Sequence, residues 1–125
     1  MHKDKDEGKN IDLSIIEKET DGKKEIDGEI IINYRGRFDS ISINSHIEDS
    51  SDVFTYIEIN NKKIDHPYAR LSIFKKELQD HKAIKFKAFT SHTPKNNESN
   101  VKFRATLIQE HKEIASDVKF IKIKK

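Results

Sequence analysis

Apolar and polar residues alternate through one short segment after another of this chain, and that alternation restricts it to β-structure. Ile11, Leu13 and Ile15, for example, are separated by Asp12 and Ser14. A period of two places apolar side chains on one face of a strand, whereas a helix repeats about every 3.6 residues. Polar turns separate the segments. We expect about seven or eight strands, within residues 11–15, 26–34, 41–47, 53–59, 68–74, 84–88, 101–107 and 118–123.

The composition agrees with strands, because nineteen isoleucines stand against four leucines and β-branched residues favour extended chain. A helical turn is expected only around residues 76–80. The chain has neither an alternating strand–helix rhythm nor a heptad repeat, so we predict a single antiparallel β-sandwich, immunoglobulin-like or arrestin-like. At 125 residues the chain fits one domain. We expect a disordered tail over residues 1–10 and one sandwich domain over residues 11–125.

Three local features refine the prediction. Asn60 and Asn61 suit a tight hairpin turn, because asparagine tolerates positive φ. Residues 91–100 contain no apolar side chain and are expected to form the longest exposed loop. In the last strand the apolar parity shifts between Phe120 and Ile121, which predicts a bulge there. Lysines surround that strand and would protect a sheet edge.

One stretch resembles a known family. Residues 25–32 read Glu-Ile-Asp-Gly-Glu-Ile-Ile-Ile, and residues 38–43 read Phe-Asp-Ser-Ile-Ser-Ile. This pair is similar to the pattern near the start of arrestin-like β-sandwich domains, a glycine-containing strand followed by a second alternating strand. The resemblance implies a non-enzymatic adaptor or scaffold that binds other proteins. Arrestins use two sandwich domains, whereas one fits here, and no functional residue of that family can be placed on this chain.

Motifs for chemistry are missing from the sequence. There is no cysteine, and neither common glycine-rich phosphate loop occurs among the four glycines. The six histidines show no metal-ligand spacing, and no serine lies in a G-x-S-x-G motif. A serine triad could not be assigned without knowing which histidine lies beside which serine. We therefore expect no enzyme and no cofactor, while Glu48, Asp49 and Asp52 form an acidic loop for which cation binding stays open.

Charge is distributed unevenly along the chain: residues 1–59 are net acidic and residues 60–125 net basic. A basic sheet face that also carries an aromatic ring can bind phosphate backbones and stack bases. On the predicted strands several basic side chains point outward together with one phenylalanine, and two further lysines could extend the patch. The candidate nucleic-acid-binding residues are Lys82, Lys85, Lys87, Phe89, Lys102, Arg104 and Lys119.

Two functions follow from these features. The first is a small intracellular protein-interaction module, in which loop 92–100 and edges such as the final strand recruit an extended segment of a protein partner. The alternative is a nucleic-acid-binding sandwich that uses the basic face. No stretch is long and apolar enough to span a membrane, so we expect a cytoplasmic protein, and the charge asymmetry would also allow a homo-oligomer.

Overall fold

The computed structural model describes residues 9–20, 22–78 and 81–125, and these form two antiparallel sheets that pack face to face. The first sheet has the strand order β1-β2-β7-β4-β5, and the second has the order β6-β3-β8-β9. The strands are β1 Ile11–Thr20, β2 Lys23–Ile32, β3 Ser40–Ile47, β4 Thr55–Ile59, β5 Lys62–His66, β6 Arg70–Phe74, β7 Ala83–Thr90, β8 Glu98–Gln109 and β9 Lys112–Lys124; the helix α1 is Lys75–Leu78.

The predicted antiparallel β-sandwich is confirmed, with nine strands among the described residues in place of seven or eight. The additional strand is β5, which pairs only with β4 and contains a single partly buried apolar residue, Ile64. Of the predicted disordered tail, residues 1–8 lie outside the described residues. The expected helical turn is present as α1, whose Leu78 packs into the core. No described helix has the length and apolarity needed to cross a bilayer.

The core lies between the two sheets and is built from the residues that alternate inward. On β2 these include Ile26, Ile30 and Ile32. Four aromatic rings occupy the centre and are almost fully buried: Phe54, Tyr56, Phe86 and Phe103. Phe54 meets Phe103 edge-on at 5.0 Å between ring centroids, a geometry that aromatic quadrupoles favour.

Two hairpins use two-residue turns with positive φ, which match the right-handed twist of strands. The predicted turn between β4 and β5 is confirmed, with φ of 47° at Asn60 and 69° at Asn61. The second turn joins β8 to β9, where Glu110 has a φ of 50° and His111 a φ of 67°. Asp39 supports this second turn, because its carboxylate accepts the Glu110 backbone N–H at 2.6 Å.

The predicted bulge in the last strand is wrong in position. Pairing between β8 and β9 is regular from Leu107 to Glu98, and the register shift lies at Ile114. Phe120 points to solvent, whereas Ile121 points into the core. The two apolar neighbours therefore lie on opposite faces of a continuous strand, and no extra residue is needed between them.

The hydroxyl of Tyr56 provides a test of the core. Tyr56 is fully buried, and its O–H donates to the Ala69 carbonyl at 3.3 Å; burial raises the pKa of the phenol well above its ordinary value. We expect Tyr56→Phe to lower the free energy of unfolding by about 1 kcal/mol, the usual net value of one hydrogen bond. Tyr68→Phe is the matched control, because Tyr68 is 63% exposed. Urea denaturation measures both, and equal stabilities of the two variants would contradict the expectation.

Candidate binding edge of the sandwich

Three of the predicted nucleic-acid-binding residues, Lys85, Lys87 and Phe89, lie on β7 and face outward from the first sheet. Acidic residues flank both lysines, since Lys85 pairs across the ladder with Glu29, and Lys87 lies between Asp27 on β2 and Glu58 on β4. Phe89 is covered by the ammonium group of Lys23, 4.9 Å from the ring centroid. This face is therefore balanced in charge.

The other predicted residues lie elsewhere. Lys102 and Arg104 are on β8, in the second sheet, and Arg104 forms an ion pair with Glu113. Lys119 lies on β9, where its ammonium group is 3.3 Å from the Asp117 carboxylate. Lys82 precedes β7, and its carbonyl accepts the Ile32 backbone N–H at 2.8 Å.

The prediction that these side chains point outward together is wrong. β7 and β8 follow each other in the chain, but they belong to different sheets, whose outer faces lie on opposite sides of the sandwich. The alternation of residues shows which side chains of a strand point out, and it does not show which sheet the strand joins. No single surface carries Lys85, Lys87, Lys102 and Arg104, although nucleic-acid binding by either group alone remains a prediction.

Loop 92–100 is less open than predicted. Residues 98–100 pair with β9, and Pro94 and Ser99 are buried. The His92 side chain is 6% exposed, and its ring nitrogens contact Asp52 at 2.8 Å and Ser99 at 3.0 Å. The loop is therefore fixed against the end of the sandwich.

The acidic loop is also held by protein partners. Glu48 accepts a hydrogen bond from the Asn100 side-chain amide at 2.8 Å. The pKa of Asp52 is lowered, chiefly by its hydrogen bond with His92, against a smaller opposing effect of burial. Within residues 9–20, 22–78 and 81–125, no three histidine or acidic side chains are grouped closely enough to hold a metal ion.

One side of the sandwich is closed by Asp117 of β9, where β1 lies beside β9. The Asp117 carboxylate accepts the backbone N–H of Leu13 at 2.8 Å and that of Val118 at 3.0 Å, and it also contacts the ammonium groups of Lys9 and Lys119. Burial raises the pKa of Asp117, but the Leu13 hydrogen bond and the two lysines outweigh burial, so the pKa lies below its ordinary value. The final strand, predicted as a recruiting edge, is thus partly covered by β1.

The opposite side leaves β6 as an edge strand that pairs only with β3. Two hydrogen bonds at the ends of the β3–β6 pairing show which opposite residues exchange backbone hydrogen bonds. They run from the Ser45 N–H to the Ala69 carbonyl and from the Lys75 N–H to the Asp39 carbonyl. Because hydrogen-bonded pairs alternate along antiparallel strands, the backbone groups of Leu71 and Ile73 face β3. Those of Arg70, Ser72 and Phe74 point outward.

The outward groups of β6 are covered at one end only. His66 Nε2 donates to the Arg70 carbonyl at 2.6 Å. Ser72 and Phe74 are exposed, and Phe74 has half of its surface in solvent. We define the β6 edge as residues 70–74 with these outward backbone groups. Such a row of unpaired groups is where a further strand can add.

Basic and aromatic side chains surround the β6 edge. Beyond Phe74 lies a cavity of about 620 Å³ lined by Arg37, Phe38, Lys75 and Lys76 among others. Lys75 extends over the Phe38 ring at 4.7 Å from its centroid. The acidic groups nearest to this cavity are Asp39, which is bonded to the Glu110 N–H, and Glu110 itself.

No direct signal for this edge is present in the sequence. The segment Arg-Leu-Ser-Ile-Phe at residues 70–74 alternates as any strand would, and only the pairing pattern shows that it has a neighbour on one side alone. The structure adds that two aromatic residues near the ends of this segment, Tyr68 and Phe74, are exposed, and large exposed apolar side chains often mark contact surfaces.

No family model and no curated protein matches the chain in sequence. Among solved structures, the fold is similar to a crystal structure of a mutant of CfaE, the CFA/I adhesin of enterotoxigenic E. coli, with a TM-score of 0.54 and 11% sequence identity. The similarity covers 90% of this chain and 47% of the adhesin chain, so this chain spans about half the length of that protein. At this identity the comparison shows the fold alone: the chain is an all-β sandwich.

Proposed function

We propose that this protein is a protein-interaction module that binds an extended segment of a partner by strand addition at the β6 edge. The observation that carries the proposal is the outward row of backbone groups at Ser72 and Phe74, beside an exposed aromatic side chain. Added strands obtain affinity from main-chain hydrogen bonds and specificity from alternate side chains. The role agrees with the adaptor function that an arrestin-like resemblance implies, and an adhesin is by name a binding protein.

The surroundings of the β6 edge favour a partner segment that combines acidic and apolar residues. Arg37, Lys75 and Lys76 supply positive charge beside Phe74, and Arg70 lies at the other end of β6. Complementary charge accelerates association and excludes partners of the same sign. An apolar side chain of the added strand would lie against Phe74, and acidic side chains would meet the lysines of α1.

Proline substitution tests the site with a matched control. Ser72→Pro removes an outward N–H without breaking a bond to β3, and proline is tolerated at such edge positions. Lys122→Pro is the equivalent change on β9, since the bond from Lys125 N–H to the Asn97 carbonyl places the Lys122 N–H on the outer side of that strand. We expect Ser72→Pro to weaken partner binding at least tenfold and Lys122→Pro to leave it unchanged.

The measurement is affinity capture from a lysate treated with nuclease, followed by titration of the identified partner segment against each variant. Circular dichroism verifies that both variants fold. A folded Ser72→Pro variant that binds the partner normally would contradict the proposal. Loss of partner binding in Lys122→Pro alone would place the binding site on the final strand instead. Binding that disappears with nuclease would favour the nucleic-acid alternative.

A further inference from the structure

The β3–β4 connection, the β7–β8 connection and the start of β8 meet at the end of the sandwich opposite Phe74, and they bring together a serine, a histidine and an aspartate. Ser99 is the second residue of β8, His92 follows β7, and Asp52 precedes β4. His92 Nδ1 lies 2.8 Å from an Asp52 carboxylate oxygen, and His92 Nε2 lies 3.0 Å from Ser99 Oγ. These are the nucleophile–base–orienting-group contacts of serine hydrolases.

The contacts determine which ring nitrogen carries the proton. The pKa of Asp52 is lowered, so its side chain is an ionised acceptor and the Nδ1 nitrogen must donate to it. In the neutral ring Nε2 is then unprotonated and accepts the O–H of Ser99. This is the tautomer that allows a histidine to remove a proton from a serine.

A small cavity gives access to the pair. It measures about 130 Å³ and is lined by His92 and Ser99 together with Lys95 and Asn96. Its volume is slightly below the ~150 Å³ of a cavity that accepts benzene, so it has room for a short acyl group. The remaining lining residues, Glu48, Asp49 and Glu98, disfavour an anionic substrate.

We propose that Ser99 is a nucleophile activated by His92, and that it accepts short, uncharged acyl groups from esters. Ser99 Oγ forms a bond to the ester carbonyl carbon while its proton moves to His92 Nε2. The bond from that carbon to the alkoxy oxygen then breaks, and His92 returns the proton to the leaving alcohol. Lys95 and Asn96 line the cavity and are the residues that offer it N–H donors for the developing oxyanion.

Water completes the reaction. His92 takes a proton from a water molecule, the hydroxide adds to the acyl carbon, and the carboxylic acid leaves as Ser99 Oγ recovers the proton. Asp52 does not touch the substrate and acts as a positioning residue for the ring. This chemistry goes beyond the proposed binding function, differs from the expectation of no catalytic site, and involves none of the residues of the β6 edge.

The test uses p-nitrophenyl acetate as the acyl donor. The full chain is incubated with the ester, quenched in acid and digested, and acetylated residues are located by mass spectrometry. We expect acetylation of Ser99 at least a hundredfold faster in the folded chain than in the same chain unfolded in urea. His92→Gln should reduce that rate at least a hundredfold, the usual contribution of a general base.

Two further variants control for indirect effects. Ser51→Ala removes the hydroxyl of an exposed neighbouring serine and should leave Ser99 acetylation unchanged. Asp52→Asn should slow acetylation while the urea midpoint stays near that of the wild type. Equal acetylation of Ser99 in folded and unfolded chains, or an unchanged rate in a folded His92→Gln variant, would overturn the proposal. Because mass spectrometry locates the acetylated residue in the wild type, the test does not depend on the folding of a Ser99→Ala variant.

Discussion

Replacing Asp117 with asparagine is expected to lower the free energy of unfolding by about 2 kcal/mol at neutral pH. The carboxylate accepts two backbone N–H groups, those of Leu13 and Val118, and Leu13 is fully buried. Hydrogen bonds to an ionised group are worth about 1.5–3 kcal/mol, and a buried donor without an acceptor bears its full desolvation cost. The asparagine amide offers one neutral oxygen in place of two charged ones.

The matched control is Asp12→Asn. Asp12 shares Lys9 as an ion-pair partner, at 3.7 Å, but its side chain is 37% exposed. An exposed pair of this kind contributes little, so we expect a loss below about 0.5 kcal/mol. Urea denaturation of the wild type and both variants measures the difference. Equal effects of the two substitutions would contradict the importance of the bonds across the β1–β9 side.

The effect of Asp117→Asn should also depend on pH. Because the pKa of Asp117 is lower in the folded than in the unfolded chain, its ionised form contributes stability above the unfolded value of about 3.9. That contribution is lost as pH falls through the folded pKa. The stability difference between the wild type and Asp117→Asn should therefore be largest at neutral pH and shrink below about pH 4. A difference that stays constant on acidification would contradict this assignment.

Replacing Gly28 with alanine is expected to destabilise the fold by about 3 kcal/mol. Gly28 lies opposite Phe86 in the pairing of β2 with β7, and a Cβ atom at Gly28 would overlap the Phe86 ring. The ring cannot move aside easily, because it is 1% exposed and packs beside Tyr56. Overpacking of a filled core costs about 1–3 kcal/mol, and the overlap here involves the centre of the sandwich.

A second substitution separates this overlap from other effects of losing glycine. Phe86→Leu shortens the ring side chain, so the double variant Gly28→Ala/Phe86→Leu should be less destabilised than the sum of the two single changes. Gly36→Ala is the control, because the group that its Cβ would meet is the tip of the partly buried Tyr34 side chain, which can rotate away. Denaturation midpoints decide the result, and strictly additive effects at positions 28 and 86 would contradict the steric explanation.

Alternation along the chain predicted most of the strands because inward and outward residues differ in hydropathy wherever one face is buried. It failed at β5, where charged residues surround Ile64 and the strand forms through the Asn60–Asn61 turn and pairing with β4. It also failed to place the bulge at Ile114. Glu110, the first of the two turn residues of that hairpin, is not a residue that signals positive φ.

The candidate sites could be predicted only in part, because they depend on which strands become neighbours. The alternation identified Lys85 and Lys102 as outward-facing but could not show that they lie on different sheets. Asp52 lies in the β3–β4 connection, His92 in the β7–β8 connection and Ser99 in β8, and their spacing of 40 and 7 residues matches no motif. Their meeting follows from the sandwich topology.

The crossing from β5 to β6 determines how the sandwich can open. Pro67, Tyr68 and Ala69 carry the chain from the first sheet to the second along one side, and this link is shorter than the β2–β3, β3–β4 and β7–β8 connections, which also join the sheets. On the other side the sheets meet through the Asp117 carboxylate and the contacts between β1 and β9. In a partial opening the two sheets would therefore rotate apart about a hinge at residues 67–69. The core would be exposed first between β1 and β9.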